Sequence, residues 1–161
     1  MDAIRVLLRQ HRAVEKLFDK FEEAKGTAAR RKLCEQISDA LAVHATIEEK
    51  IFYPATKDAR TEELLLEATE EHLGAKRVIA DLLATDADDE RFAARVKVLK
   101  DLVQHHVSEE ERDLFPKVKK LLDTHELDEL GDQLEDMTEE LQAAGEPRMN
   151  IPGETDQPAS I

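Results

Sequence analysis

Long apolar runs and cysteine pairs are missing from this chain. It has one cysteine, Cys34, in 161 residues, so no intrachain disulfide can form. Nothing points to a thiolate metal site, and a lone thiol fits a reducing compartment. No apolar stretch approaches the length of a membrane span. The start, Met1-Asp2-Ala3-Ile4-Arg5, lacks the apolar segment of a signal peptide. Positive charge is also short: 23 Lys and Arg against 37 Asp and Glu give a net charge of -14. Such a surface repels nucleic-acid phosphates and anionic lipid, so neither nucleic acid nor membrane is an expected partner. Glycine and proline number five each, and no alternating β-branched run supports a strand. The expectation is a soluble, cytoplasmic, all-α protein, a monomer or small homo-oligomer. At this length one domain with a sizeable core is the prior.

What the chain has is four apolar stripes at helical spacing. Ile4, Leu7, Leu8, His11, Val14, Phe18 and Phe21 form one, ended by Gly26. Leu33, Ile37, Leu41, His44, Glu48 and Ile51 form the next, closed by Pro54. Leu65, Ala68, His72, Ala75, Ile79 and Leu83 make the third, and Phe92, Val96, Leu99, Val103, His106, Glu110 and Leu114 the fourth. Between the last two lies the Asp86–Asp89 cluster, where an aspartate can cap the following helix. In every stripe a histidine occupies a core position. His11 and His44 are about equidistant from the Gly26 turn, His44 and His72 from the Asp58 turn, and His72 and His106 from the Asp86–Asp89 turn. In an up-down-up-down four-helix bundle, residues equidistant from a turn meet at one level.

The halves also repeat. His44-Ala-Thr-Ile-Glu48-Glu49-Lys-Ile-Phe-Tyr-Pro54 returns as His106-Val-Ser-Glu-Glu110-Glu111-Arg-Asp-Leu-Phe-Pro116, each preceded by a lone histidine, His11 or His72. The repeat runs over about residues 7–54 and 68–116. Histidine and glutamate one turn apart share a helix face. Four histidines and two glutamates in one layer make a nitrogen- and oxygen-rich pocket suited to two transition-metal ions. The expected split is His11 and His44 on one metal, His72 and His106 on the other, with Glu48 and Glu110 each bridging the pair. Buried without metal, both the carboxylates and four core histidines would be destabilising. Carboxylate bridges favour iron, ahead of manganese or zinc.

This pattern resembles the hemerythrin family, in its branch of HHE cation-binding domains, over about residues 2–120. The resemblance implies a hemerythrin-like bundle with a non-haem di-iron site, oxo- or hydroxo-bridged as well as carboxylate-bridged. It implies dioxygen, hydrogen peroxide or nitric oxide as ligands. The acidic segment after the bundle resembles that of short actinobacterial hemerythrin-like proteins, whose implied role is protection from oxidative stress. Respiratory members carry a further histidine where this chain has Lys76, and place the last carboxylate five residues after its histidine rather than four. Those departures turn the expectation away from oxygen carriage and toward catalase-like decomposition of hydrogen peroxide, with no catalytic residue assigned. The alternative is reversible O2 or NO binding, or iron sensing, without turnover.

Other residues carry weaker signals. Tyr53, the only tyrosine, falls off the His44–Glu48 face by helical angle unless Pro54 distorts the turn; packing is the expected role and metal ligation the alternative. His105 is expected partly buried beside the site as a hydrogen-bond partner, with ligation together with Glu109 as the alternative, and Glu15 in an ion pair or as a further ligand. Glu49 and Glu111 are expected to point away into solvent. Cys34 reads as a small core residue. The expected organisation is a bundle over 1–122, an acidic helical extension over 123–143 interrupted at Gly131, and a disordered tail over 144–161.

Overall fold

The structure is a computed structural model that describes residues 1–161. It is all-helical. Helix α1 (Ala3–Glu23) starts at Asp2, whose carboxylate accepts the Arg5 backbone N–H at 3.0 Å. The chain reverses through Gly26, at φ 91°, a left-handed conformation that favours glycine. Helix α2 (Thr27–Ile47) then runs into a π-helical turn (Glu48–Phe52) and the single turn α3 (Tyr53–Thr56). Helix α4 (Glu62–Leu83) and helix α5 (Phe92–Glu109) follow, and α5 leads into a second π turn (Glu110–Leu114) and α6 (Phe115–Leu121). Thus α1, α2, α4 and α5 form the up-down-up-down bundle that the histidine spacing implies. No helix is long and apolar enough to cross a membrane. The Asp86–Asp89 stretch forms the expected turn, but no side chain caps α5; Asp89 instead accepts from the Arg91 N–H.

Both π turns end two residues before a proline. Pro54 and Pro116 have no N–H to give, and the ring clashes with the carbonyl four residues back. The helix answers by widening: Tyr53 N–H bonds to Glu48 O, and Phe115 N–H to Glu110 O, each five residues back.

The core is split by the histidine layer. One apolar cluster holds Leu7, Ile47, Phe52, Leu65 and Phe115, and the other Val14, Phe18, Ile37, Leu82 and Leu99. Cys34 lies buried in the latter.

Helix α7 (Thr124–Ala144) opens on a reciprocal capping box between Asp123 and Glu126 and lays Leu127, Leu130 and Leu134 on the first cluster, with Met137 and Leu141 at its margin. Gly131 does not interrupt it. A Cβ there would stand 1.9 Å from the Met1 carbonyl oxygen, so the glycine is what lets the N-terminus cross this helix. The tail differs from expectation. Pro147–Glu154 is a 3-10 helix packed on α2 and α4, with Ile151 buried in the second cluster. Arg148 anchors it on Asp39 at 2.9 Å, and Arg77 donates to the Thr155 carbonyl at 3.0 Å. One buried isoleucine and these polar anchors hold a segment whose proline and glycine content alone suggests disorder.

Candidate metal centre

Each long helix delivers one histidine to the central layer, and each π turn delivers a glutamate. His11, His44, His72, His106, Glu48 and Glu110 are all buried. The rings meet in two pairs: His11 Nε2 lies 3.2 Å from His44 Nε2, and His72 Nε2 lies 3.1 Å from His106 Nε2. Glu48 reaches both pairs, with Oε1 2.8 Å from His44 Nε2 and Oε2 3.0 Å from His72 Nε2. Glu110 does the same through one oxygen, with Oε1 3.2 Å from His11 Nε2 and 3.3 Å from His106 Nε2.

The outer nitrogens settle the tautomers. Nδ1 of His11 lies 2.9 Å from Glu111, of His44 2.8 Å from Gln10, of His72 2.7 Å from Glu49, and of His106 2.8 Å from Glu71. All four partners present an oxygen, and carboxylate and carboxamide oxygens only accept. Nδ1 therefore carries the ring proton and each Nε2 turns a lone pair inward. Two lone pairs about 3 Å apart repel unless a cation or an extra proton sits between them. Glu48 Oε1 and Glu110 Oε1 are buried and accept no hydrogen bond. Orphaned carboxylate oxygens cost free energy unless a cation takes their lone pairs. The donor set therefore fits a pair of cations, one in His11, His44, Glu48 and Glu110 and one in His72, His106 and Glu48.

Without cations, extra protons on the rings take that place. Burial, and then the Glu48 charge, pushes the Glu110 carboxyl up; His106 and His11 outweigh both and hold it at about 2. Burial likewise raises Glu48, and His44, His106 and His72 drive it well below the carboxylate range. Burial lowers His106, and Glu110 and Glu48 carry it well above its ordinary value. Metal-free, His11, His72 and His106 hold their extra proton to higher pH than a free imidazole; cations would displace it.

Tyr53 belongs to this layer. The widened turn swings it round by one residue, so that Glu48 and Tyr53, five apart, face together. The fully buried Oη lies 2.7 Å from Glu110 Oε2 and 2.8 Å from Glu48 Oε2, and 3.3 Å from His72 Nε2. Burial, with Glu110 and Glu48 adding to it, raises its pKa well above the usual phenol value, so it stands as a neutral donor between two carboxylates. The role is more than packing. Its repeat counterpart, Phe115, stacks on His11 at 5.9 Å between ring centroids and offers nothing to ligate.

The remaining expectations divide. Glu49 and Glu111 do not point into solvent; they orient His72 and His11. Glu49 also pairs with Lys76 at 2.9 Å, and Glu111 with Arg12. His105 is exposed rather than partly buried, within 3.3 Å of Glu71 and 3.2 Å of Glu109. Glu15 pairs with Arg12 at the surface and does not enter the layer. Gln10 and Glu71 escaped the sequence reading, although they occupy matched positions immediately before the lone histidines of the two halves.

Comparisons with known proteins agree with this geometry. Residues 2–118 match the family model of the hemerythrin HHE cation binding domain. A solved structure of a hemerythrin HHE cation binding domain-containing protein, the Rv2633c homolog from Mycobacterium kansasii, superposes with a TM-score of 0.80. It is 25% identical, and the match covers 96% of this chain and 94% of that one. A curated DNA nickase from a Nostoc species is 27% identical over 124 residues, 77% of this chain but 35% of its own length. The chain thus spans about a third of that relative. With the family model covering nearly the whole bundle and the histidine–glutamate layer at its centre, the chain belongs to the hemerythrin HHE cation-binding family.

Proposed function

We propose that the chain holds two iron ions and decomposes hydrogen peroxide, converting two molecules into two of water and one of dioxygen. The observation that carries the reading is the inward convergence of four fixed Nε2 lone pairs on two carboxylates with orphaned oxygens. Bound iron would supply the electron exchange that lets one peroxide be oxidised while another is reduced. The chain supplies the rest. Glu48 and Glu110 span the two histidine pairs and keep them at a fixed separation. Gln10, Glu49, Glu71 and Glu111 hold the rings in one tautomer. Tyr53 Oη holds a proton 2.7 Å from Glu110, ready to follow charge changes in the layer or, deprotonated, to become a ligand. Mixed imidazole and bridging carboxylate donors support iron over zinc.

The test is metal content and visible spectrum of the purified protein, followed by peroxide addition. Two irons per chain with rapid oxygen release support the reading. Iron without turnover replaces it by reversible O2 or NO binding or iron sensing, and no stoichiometric metal after anaerobic iron loading removes the metal assignment. The nickase likeness does not lead us to a DNA role: a net charge of -14 opposes phosphate binding. A mobility shift of DNA at low salt would reverse that. A cytoplasmic location is proposed on the single buried thiol.

A further inference from the structure

Beside the four histidines lies a cavity of about 60 Å³, large enough to admit molecules the size of water. Its walls near the rings are small or apolar, including Ala42, Ala45, Ala75 and Val103. Its outer wall is the C-terminal 3-10 helix, which contributes Pro147, Ile151 and Glu154. Ile151 is 2% exposed and packs with the apolar cluster above the histidine layer. The same helix is tied to the site by charge. Glu154 lies 3.0 Å from Lys76 Nζ; Lys76 Nζ lies 2.9 Å from Glu49 Oε1; and the other oxygen of Glu49 accepts from His72 Nδ1 at 2.7 Å. The wall is thus latched to a group that orients a site histidine.

We infer that the C-terminal helix decides what reaches the histidine layer: Ile151 is the size-determining side chain, and Glu154 latches it through Lys76. The substrate class this assigns, resting on the proposed reading of the site, is small uncharged molecules such as hydrogen peroxide, dioxygen and nitric oxide. A bulkier alkyl hydroperoxide would have to displace the Ile151 side chain. An anion would have to shed hydration along the apolar walls before it reached the histidine layer, with no free cation on the way, because the Lys76 ammonium is taken by Glu49 and Glu154.

The deciding experiment needs neither iron nor turnover. Metal-free full-length protein is treated with diethyl pyrocarbonate, and carbethoxylation of each histidine is followed by mass spectrometry. His105 and His125, with side chains 65% and 79% exposed, serve as internal references. Ile151→Ala and Glu154→Gln should each speed labelling of the four buried histidines about tenfold with the references unchanged, while Ile151→Met stays near wild type. Leu82→Ala, which loosens the same apolar cluster as Ile151 but at a residue that does not line the cavity, controls for general destabilisation and should not open these histidines selectively. Unchanged labelling in both Ile151→Ala and Glu154→Gln overturns the inference, as does equal labelling in Leu82→Ala. A second arm compares tert-butyl hydroperoxide with hydrogen peroxide on iron-loaded protein; Ile151→Ala should raise the relative rate of the bulkier substrate at least tenfold. If labelling opens as expected but wild type turns over no peroxide, the gate stands and the catalytic reading falls.

Discussion

Replacing Tyr53 by phenylalanine removes one oxygen atom from the centre of the molecule and nothing else. The ring fits, because the other half of the repeat carries Phe115 in the matched place. The hydroxyl is the only hydrogen-bond partner of Glu110 Oε2 and one of three polar neighbours of Glu48 Oε2, the others being His72 Nε2 at 3.0 Å and His106 Nε2 at 3.7 Å. A hydrogen bond to a charged group contributes about 1.5–3 kcal/mol, and here its loss strands a buried carboxylate oxygen. A protein of this size shifts about 2–4 °C per kcal/mol, so metal-free Tyr53→Phe should melt roughly 3–12 °C lower. The assay is paired thermal denaturation of metal-free wild type and variant, followed by circular dichroism. On iron loading the gap should change, because cations take over the carboxylate lone pairs. In the ferric state any phenolate-to-iron absorption should vanish with the hydroxyl. A metal-free melting point within about 1 °C of wild type would refute the argument that Tyr53 bridges the two carboxylates.

The remaining expectations concern the surroundings of that centre. Gly131→Ala drives a Cβ to 1.9 Å from the Met1 carbonyl oxygen; overpacking of this kind costs about 1–3 kcal/mol, read as a lower urea midpoint, and removing the first two residues should recover part of it. Glu71→Ala should weaken metal binding about 10–100-fold, the effect of losing a hydrogen-bond partner behind a ligand. Competition with a chelator measures it, and an unaltered affinity would show that His106 is oriented by packing alone. Metal-free protein should be most stable between about pH 4.5 and 6.5. Glu48, Glu49 and Glu110 titrate below their ordinary 4.5, so their contribution is complete above that value and is lost as pH falls through the lowered ones. His11, His72 and His106 titrate above their ordinary 6.5, so their contribution is complete below it and is lost as pH rises through the raised ones. A melting-point maximum above pH 8 would contradict this.

The bundle and the six converging side chains were legible because they rest on plain α-helical arithmetic. Histidine and glutamate four apart share a face, and residues equidistant from short turns share a level. That same arithmetic misplaces everything downstream of Glu48 and Glu110. On a 3.6-residue helix Tyr53 points away, and the π turn before Pro54 rotates the chain by about one residue and brings it in; Glu49 and Glu111 instead meet ring nitrogens carried by neighbouring helices. The prolines at matched positions were the available signal, since each removes an N–H and crowds a carbonyl. Gln10 and Glu71 were hidden for another reason. A polar residue beside a core histidine looks like the edge of a solvated face until the neighbouring helix is in place. The tail was misjudged by composition, which cannot register one isoleucine dropping between two helices lined with alanines.

Every hydrogen bond behind a histidine crosses from one helix to another. Gln10 on α1 holds the ring on α2, and Glu71 on α4 holds the ring on α5; Glu49 reaches across to α4, and Glu111 to α1. The last two link opposite halves of the repeat. Two identical half-chains could therefore build the same centre as a symmetric pair, each supplying the carboxylate its twin needs, whereas one half alone could orient only one of its two rings. What joining the halves in a single chain adds is the freedom to make the two positions unlike. Tyr53 stands where the other half has Phe115, and Glu71 where it has Gln10, so the His72–His106 position has a phenol beside it and an anionic partner behind His106. The other position has an inert ring and a neutral amide. Two redox-active ions held so differently would part in potential, one more easily oxidised than the other.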